Sequence, residues 1–186
     1  MGCPTIRRDQ VDGMNIHWAQ WSLDAFLDCQ ARLGLTGIEL WAAMPHLWID
    51  CLGYYDAKRI RHKIESRGLV ANVLCPENVI SPYQVNPQEE LYVDRCRAYF
   101  SNGIRCAAEL GCTCLSINSG WGYLNEDREE AWKRTRDMLR SLAELAQVEG
   151  VVLTLESLRP QESQLVVTLT DTKRMLDEVA HPNLKA

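Results

Sequence analysis

Hydrophobic positions along the chain fall into short continuous blocks and longer periodic stretches, with a glycine at each junction. Gly34 is followed by the apolar run 35–41, Gly68 by 69–74, Gly111 by 112–117 and Gly150 by 151–156. Glycine just past a helix adopts the left-handed conformation without a Cβ clash and stops the helix. Upstream of each glycine the apolar residues step by three and four, the helix period. Leu23, Phe26, Leu27 and Leu33 mark the first helix, and Ile60 and Ile64 a thinner second one. Tyr92, Cys96, Phe100, Gly103, Ile104 and Ala107 form the face of the third. Ala131, Trp132, Thr135, Met138, Leu139, Leu142, Leu145 and Ala146 form that of the fourth. Asn125 is placed as the N-cap of this helix, with Glu126 and Asp127 complementing its dipole. A last helix opens at Thr170 or Asp171 and carries Met175, Leu176 and Val179. One further strand, over 14–19, precedes everything.

The order is five alternating β and α units, which implies α/β architecture with a parallel sheet and right-handed crossovers. The junction glycines recur about every 40 residues, which suits α/β units rather than a short solenoid repeat. Two architectures compete, an open doubly wound sheet and part of a (β/α)8 barrel. An open sheet usually carries a glycine-rich phosphate loop after an early strand. The nearest segment here, Asn118-Ser119-Gly120-Trp121-Gly122, has the wrong spacing for either phosphate motif. A whole eight-stranded barrel takes about 250 residues. The 186 residues are too few for a complete one, and the pattern alone leaves both architectures open.

Composition narrows the partners. The chain is 46% hydrophobic and 24% charged, which suits a globular domain and not a disordered or collagenous one. No apolar run is long enough to span a membrane, and residues 1–10 have no signal-peptide core, so a cytoplasmic protein is expected. The net charge of −5 opposes nucleic-acid binding, which ordinarily needs a basic face. The eight cysteines include no CxxC pair, so a zinc knuckle is not expected. Without a secretion signal they are read as free thiols, largely buried.

In such folds chemistry gathers at the C-terminal ends of the strands. Those ends carry His17 and Gln20, then Glu39, Trp41 and His46. Next come Cys75-Pro76-Glu77-Asn78 with Tyr83, then Asn118, Ser119, Trp121 and Tyr123, and finally Glu156, Arg159 and Glu162. Glu156 is the sharpest of these, because it ends the apolar run 151–155. A carboxylate there is costly unless it is paired or bound to a cation. The plain alternative is a salt bridge, with Arg159 the obvious partner. Glu39 could equally be a carboxylate held by backbone N–H groups, His46 a loop hydrogen-bonder, and Trp121 and Tyr83 loop packing.

Three segments together resemble a known family. They are Gly37-Ile38-Glu39-Leu40-Trp41 with Pro45-His46, Cys75-Pro76-Glu77-Asn78 with Pro82-Tyr83, and Leu153-Thr154-Leu155-Glu156-Ser157-Leu158 with Glu162-Ser163. Their order and spacing resemble the sugar isomerase/epimerase family with xylose-isomerase-like barrels, and within it the 3-epimerases of ketoses and fructoselysine. The resemblance implies a TIM barrel, here a partial one of about the first five β/α units over 13–186 behind a polar tail over 1–12, and in the family the complete barrel holds one Mn²⁺, Mg²⁺ or Co²⁺ through carboxylates and one imidazole. It implies that Glu156 is both a metal ligand and one of two proton-transfer glutamates. It implies a substrate contact for Glu162 and, more loosely, pocket-lining places for His46, Glu39, Tyr83 and Trp121. The implied reaction moves a proton beside the carbonyl of a sugar or keto-sugar through a cis-enediolate. Strand six should begin where the chain stops, so the Asp, His and second Glu of the family's metal set have no counterpart. A truncated chain, inactive alone, is expected. The alternative is a non-catalytic partial barrel acting as an assembly subunit, for instance a homo-oligomer. The family's abasic-site endonucleases use several metals and many histidines, whereas this acidic chain has four histidines.

Overall fold

The structure, a computed structural model, describes residues 6–80 and 82–186. Cys3 and the first residues of the expected tail lie outside them. Six parallel strands form one sheet in chain order, namely β1 Asp12–Met14, β2 Gly37–Ala42, β3 Val70–Pro76, β4 Cys114–Asn118, β5 Val152–Glu156 and β6 Leu184–Lys185. The connecting helices are α1 Leu23–Arg32, α2 Ala57–Glu65, α3 Glu90–Leu110, α4 Arg128–Val148 and α5 Leu169–Val179. The sequential order β1 to β6 with helical crossovers is the strand order of a β/α barrel wall.

Four expectations are corrected. The strand expected over 14–19 is β1, which ends at Met14, and Ile16–Trp18 is instead a 3-10 turn. Strand six, by contrast, begins where expected, pairing Leu153 with Leu184 and Thr154 with Lys185. The N-cap of α4 is Asp127, whose side chain accepts from the Glu129 and Glu130 N–H groups, and not Asn125. The last helix starts at Leu169, capped by Thr168 in a reciprocal pair with Asp171. Leu33 and Tyr92, assigned to apolar faces, are 56% and 48% exposed.

The sheet buries one face against the helices. Ile38, Leu40, Leu74, Leu115, Leu153 and Leu155 alternate along their strands and pack with Phe26, Leu27, Phe100, Ile104 and Leu139 of the helices. By the two-residue period the other face carries Glu39, Trp41, Cys75, Ser116, Thr154 and Glu156. The pairs Trp41–Cys75, Ser116–Thr154 and Asn118–Glu156 lie in register. Gly37 is needed on that face. A Cβ there would stand 2.1 Å from Asp12 Oδ1 and 2.3 Å from Asn72 Nδ2. Asn72 Nδ2 donates across it to both Asp12 carboxylate oxygens, at 3.1 and 2.9 Å. At the end of α3, Gly111 takes φ +83° and turns the chain into β4.

The seven described cysteines are free thiols. Burial pushes the Cys106 thiol up, and that of Cys112 to about 12. Such thiols stay protonated and are packing residues rather than nucleophiles.

Candidate active site

The C-terminal strand ends meet over the face that carries Glu39, Cys75, Ser116 and Glu156. Glu156 ends β5 beside Asn118 of β4 and is open to solvent on one side. The protein wall on its other side raises its pKa by desolvation, and nearby Glu162 raises it further, while a hydrogen bond from Ser116 opposes both. Glu39, two strand positions below Trp41, is also raised, first by burial, then by Glu156 and Asp12. Burial also pushes the Cys75 thiol up, with Glu39, Glu156 and Glu77 adding to it. The Glu156 charge therefore reaches across three strand ends, making both Glu39 and Cys75 harder to ionise.

That coupling makes a stability prediction with a definite sign. A carboxylate whose folded pKa lies above its unfolded value binds more protons in the folded state between those two values, so stability falls as pH rises through that window. Glu39→Gln removes the penalty. The variant is expected to have a higher urea midpoint than the parent at pH 7, and the two midpoints are expected to converge near pH 4. A variant no more stable at pH 7 would contradict it.

The remaining expected site residues take different places. Glu162 pairs with Arg159 at 2.7 Å, which holds its carboxyl below the usual range. His46 is 7% exposed and both its ring nitrogens are occupied. Asn15 Nδ2 donates to Nδ1 at 2.7 Å, so Nε2 carries the hydrogen and donates to Trp21 O at 2.8 Å. The ring is thereby a clamp with no nitrogen turned to a substrate. Tyr83 stacks on Tyr99 with ring centroids 4.3 Å apart and accepts from Cys51 N–H. It lines a hollow behind Glu77 rather than the Glu156 side. Trp121 is 40% exposed, and its indole N–H donates to Val79 O.

Two groups of site-shaping residues escaped the sequence reading. Asn15, fully buried, accepts from Trp41 N–H at 2.6 Å through Oδ1 and donates to Trp41 O at 3.1 Å through Nδ2. It so fixes the end of β2, and nothing in its sequence surroundings announces this. Ser116, the hydroxyl beside Glu156, was detectable, because it lies two positions before Asn118 and so shares a face with Cys75 and Glu156. The loops above are held by amides. Asn78 and Asn118 exchange two hydrogen bonds, at 2.7 and 2.6 Å. Glu77 accepts from Trp41 Nε1 and from the Val79 and Ile80 N–H groups, so its carboxylate is spent on the turn.

Among the described residues no three His, Cys, Asp or Glu side chains converge as ligands for an ion. Glu156 is one donor, Glu162 is held by Arg159, and His46 has no free nitrogen. The residues present do not by themselves fit a divalent-cation site, which needs several converging oxygen or nitrogen ligands.

A parallel sheet in barrel order, with carboxylates, amides and a serine gathered at its C-terminal strand ends, defines a β/α-barrel protein. The xylose isomerase-like TIM barrel profile matches residues 28–186, and the chain belongs to that family. It is 30% identical over 162 residues to fructoselysine 3-epimerase of Shigella flexneri, covering 86% of this chain and 58% of that protein. It thus spans about three-fifths of the length of that curated relative. Its fold matches the apo crystal structure of 3-keto-D-glucoside 4-epimerase from E. coli with a TM-score of 0.76 and 16% identity, over 93% of this chain and 65% of that one. It matches D-psicose 3-epimerase of Clostridium cellulolyticum H10, solved with D-tagatose, with a TM-score of 0.75 and 16% identity, over 94% and 61%.

Proposed function

We propose that these residues form the N-terminal part of a divalent-metal-dependent sugar or keto-sugar isomerase/3-epimerase, with Glu156 as a proton-transfer base. The observation that carries this is Glu156 itself, a carboxylate at the end of β5, raised by its surroundings and steadied by Ser116. Its likeness to fructoselysine 3-epimerase in sequence supports the substrate class. A raised carboxylate is a better general base while still ionised near neutral pH. The Glu156 carboxylate takes the proton from the carbon that bears a hydroxyl next to the carbonyl. The C–H electron pair then forms the carbon–carbon double bond of a cis-enediolate. Returning a proton to the opposite face requires a second acid. The residues at hand thus supply one half of the proton transfer and one donor of the expected cation site.

The test is solvent deuterium exchange into fructoselysine, followed by NMR at C3. One sample is the 186-residue chain alone. The other is residues 1–186 fused to the C-terminal remainder of the Shigella flexneri relative. With Mn²⁺ the fusion is expected to exchange the C3 proton and the isolated chain is not. A folded, Mn²⁺-binding fusion that exchanges nothing would overturn the proposal, and so would equal exchange by the isolated chain in EDTA.

A further inference from the structure

Above the ends of β3 and β4, the 82–87 loop, the first turn of α3 and the 121–123 segment enclose a cavity of about 410 Å³. That is within the range of small-molecule sites. Its lining includes the aromatic side chains Tyr92, Trp121 and Tyr123, and the amides Gln84 and Asn86. Glu39, Glu156 and Glu162 do not line it.

The three aromatic residues are 48%, 40% and 53% exposed, in one cluster. Large rings grouped at the surface around a concavity are the mark of a binding site rather than of a satisfied core. The polar contribution is placed as carefully. Asn86 is 5% exposed, and its Nδ2 is committed to Ser119 O at 3.0 Å and Thr135 Oγ1 at 3.2 Å. The Oδ1 acceptor is the end of this amide left for the cavity. Gln84 is fixed in the wall, donating to Asn78 O at 2.7 Å and accepting from Trp121 N–H at 3.0 Å. The wall is therefore set before any ligand arrives, which lowers the cost of binding.

The lining also excludes ligand classes. Among the described residues no Lys, Arg or His lines the cavity, so a phosphate or carboxylate would find no counter-charge. The adjoining hollow, which shares Tyr92 and Tyr123, is lined by Glu89 and by Glu126, itself paired with Arg134, and adds no cation to the lining for an anion to meet. A purely apolar ligand would leave the buried Asn86 acceptor without a donor, a loss of free energy. What remains is a neutral ring with an apolar C–H face and hydroxyl donors on its rim. We propose that this cavity binds a neutral, unphosphorylated sugar ring, at a place separate from the carbon that reacts at Glu156.

The probe is methyl β-D-glucopyranoside, followed by saturation-transfer NMR with the 186-residue chain. A dissociation constant of about 1 mM is expected for a ligand of this size. Tyr92→Ala is expected to weaken binding at least tenfold. Tyr92 is half exposed on α3, so its truncation spares the core, and circular dichroism checks the fold. Trp121→Ala is expected to act in the same direction. Glucose 6-phosphate is expected to bind at least tenfold more weakly than the neutral glycoside. Glu156→Gln is expected to leave binding within twofold. Loss of binding in Glu156→Gln would place the ring in the strand-end site and overturn the proposal while sparing the reading of Glu156. The proposal is also overturned by no saturable binding at fifty times the expected constant, by full binding in Tyr92→Ala, or by cyclohexylmethanol binding as tightly as the glycoside.

Discussion

Glu156→Gln, introduced into the fusion that completes the barrel, is expected to lower kcat by about 10²–10⁴-fold, the usual worth of a positioned general base. The amide keeps the size of the carboxylate and can still meet the Ser116 hydroxyl, but it cannot take a proton. The loss therefore belongs in kcat, with KM changing little, because an interaction made in the transition state has been removed. Two further readouts separate this from a structural effect. Burial, and after it neighbouring Glu162, raise the Glu156 pKa, so the acid limb of the parent's rate profile is expected above the ordinary carboxylate value of about 4.3. Removing a carboxylate that resists ionisation is also expected to leave the fold at least as stable at pH 7, by the same sign as for Glu39. Glu162→Gln is the contrasting variant. Its carboxylate is steadied by Arg159 at 2.7 Å and lies outside the strand, so a smaller fall is expected. Turnover by Glu156→Gln equal to the parent's would remove Glu156 from the chemistry.

The sequence carried the scaffold well because its signals are local. Gly34, Gly68, Gly111 and Gly150 all have positive φ, and each stands just before a strand as expected. The faces of α3 and α4 follow from spacing by three and four, and most of the named residues are buried. β1 was misplaced because Ile16 and Trp18 alternate with polar residues as a half-buried strand would. The chain instead turns there, and buried Asn15 leaves the sheet to hold Trp41. β6 contributes only Leu184 and Lys185, too few to leave a pattern. Asn125 and Asp127 are equally good cap types, and the choice is made in three dimensions. Glu126 accepts from Tyr123 N–H at 2.7 Å and fixes the turn that leaves Asp127 to cap the helix.

The site was less legible for the same reason. Glu156 stood out because one strand suffices to see a carboxylate at the end of an apolar run. His46 did not reveal its role, because its two partners, Asn15 and Trp21, lie 31 and 25 residues away. A histidine after a strand end reads identically whether it faces a substrate or a clamp. Ser116 shows the converse case, in which the period of the strand already held the answer. Long-range pairing, not residue type, decides which strand-end groups remain available for chemistry.

Trp132→Ala is expected to cost about 3–5 kcal/mol of stability, the range for removing a large buried aromatic side chain. Trp132 is 1% exposed on α4 and meets α5. Arg174 lies 4.2 Å and Arg128 5.2 Å from its ring centroid, and its indole N–H donates to Glu178 at 2.8 Å. Arg174 and Glu178 both belong to α5, and Arg174 also pairs with Glu178 and Glu129, at 2.7 and 2.6 Å. One ring thus joins the α4–α5 interface to an ion-pair network that would otherwise be at the surface and worth little. Truncation opens a cavity and removes the face over which two guanidinium groups sit, each worth about 0.5–1 kcal/mol at exposed positions. Trp132→Phe keeps most of the packing and loses the hydrogen bond, for an added cost of about 1 kcal/mol. Urea denaturation distinguishes these effects, since the midpoint is expected to fall in the order parent, Phe, Ala at a constant slope. Domains are stable by only about 5–15 kcal/mol, so the Ala variant is expected to lose about a fifth of the total or more. α5 packs on α4 and β6, and α4 packs on the strand that carries Glu156, so loosening the α4–α5 interface would also move the carboxylate. A drop of less than about 1 kcal/mol for Trp132→Ala would mean that the interface tolerates a cavity of that size, contrary to the close packing of protein interiors.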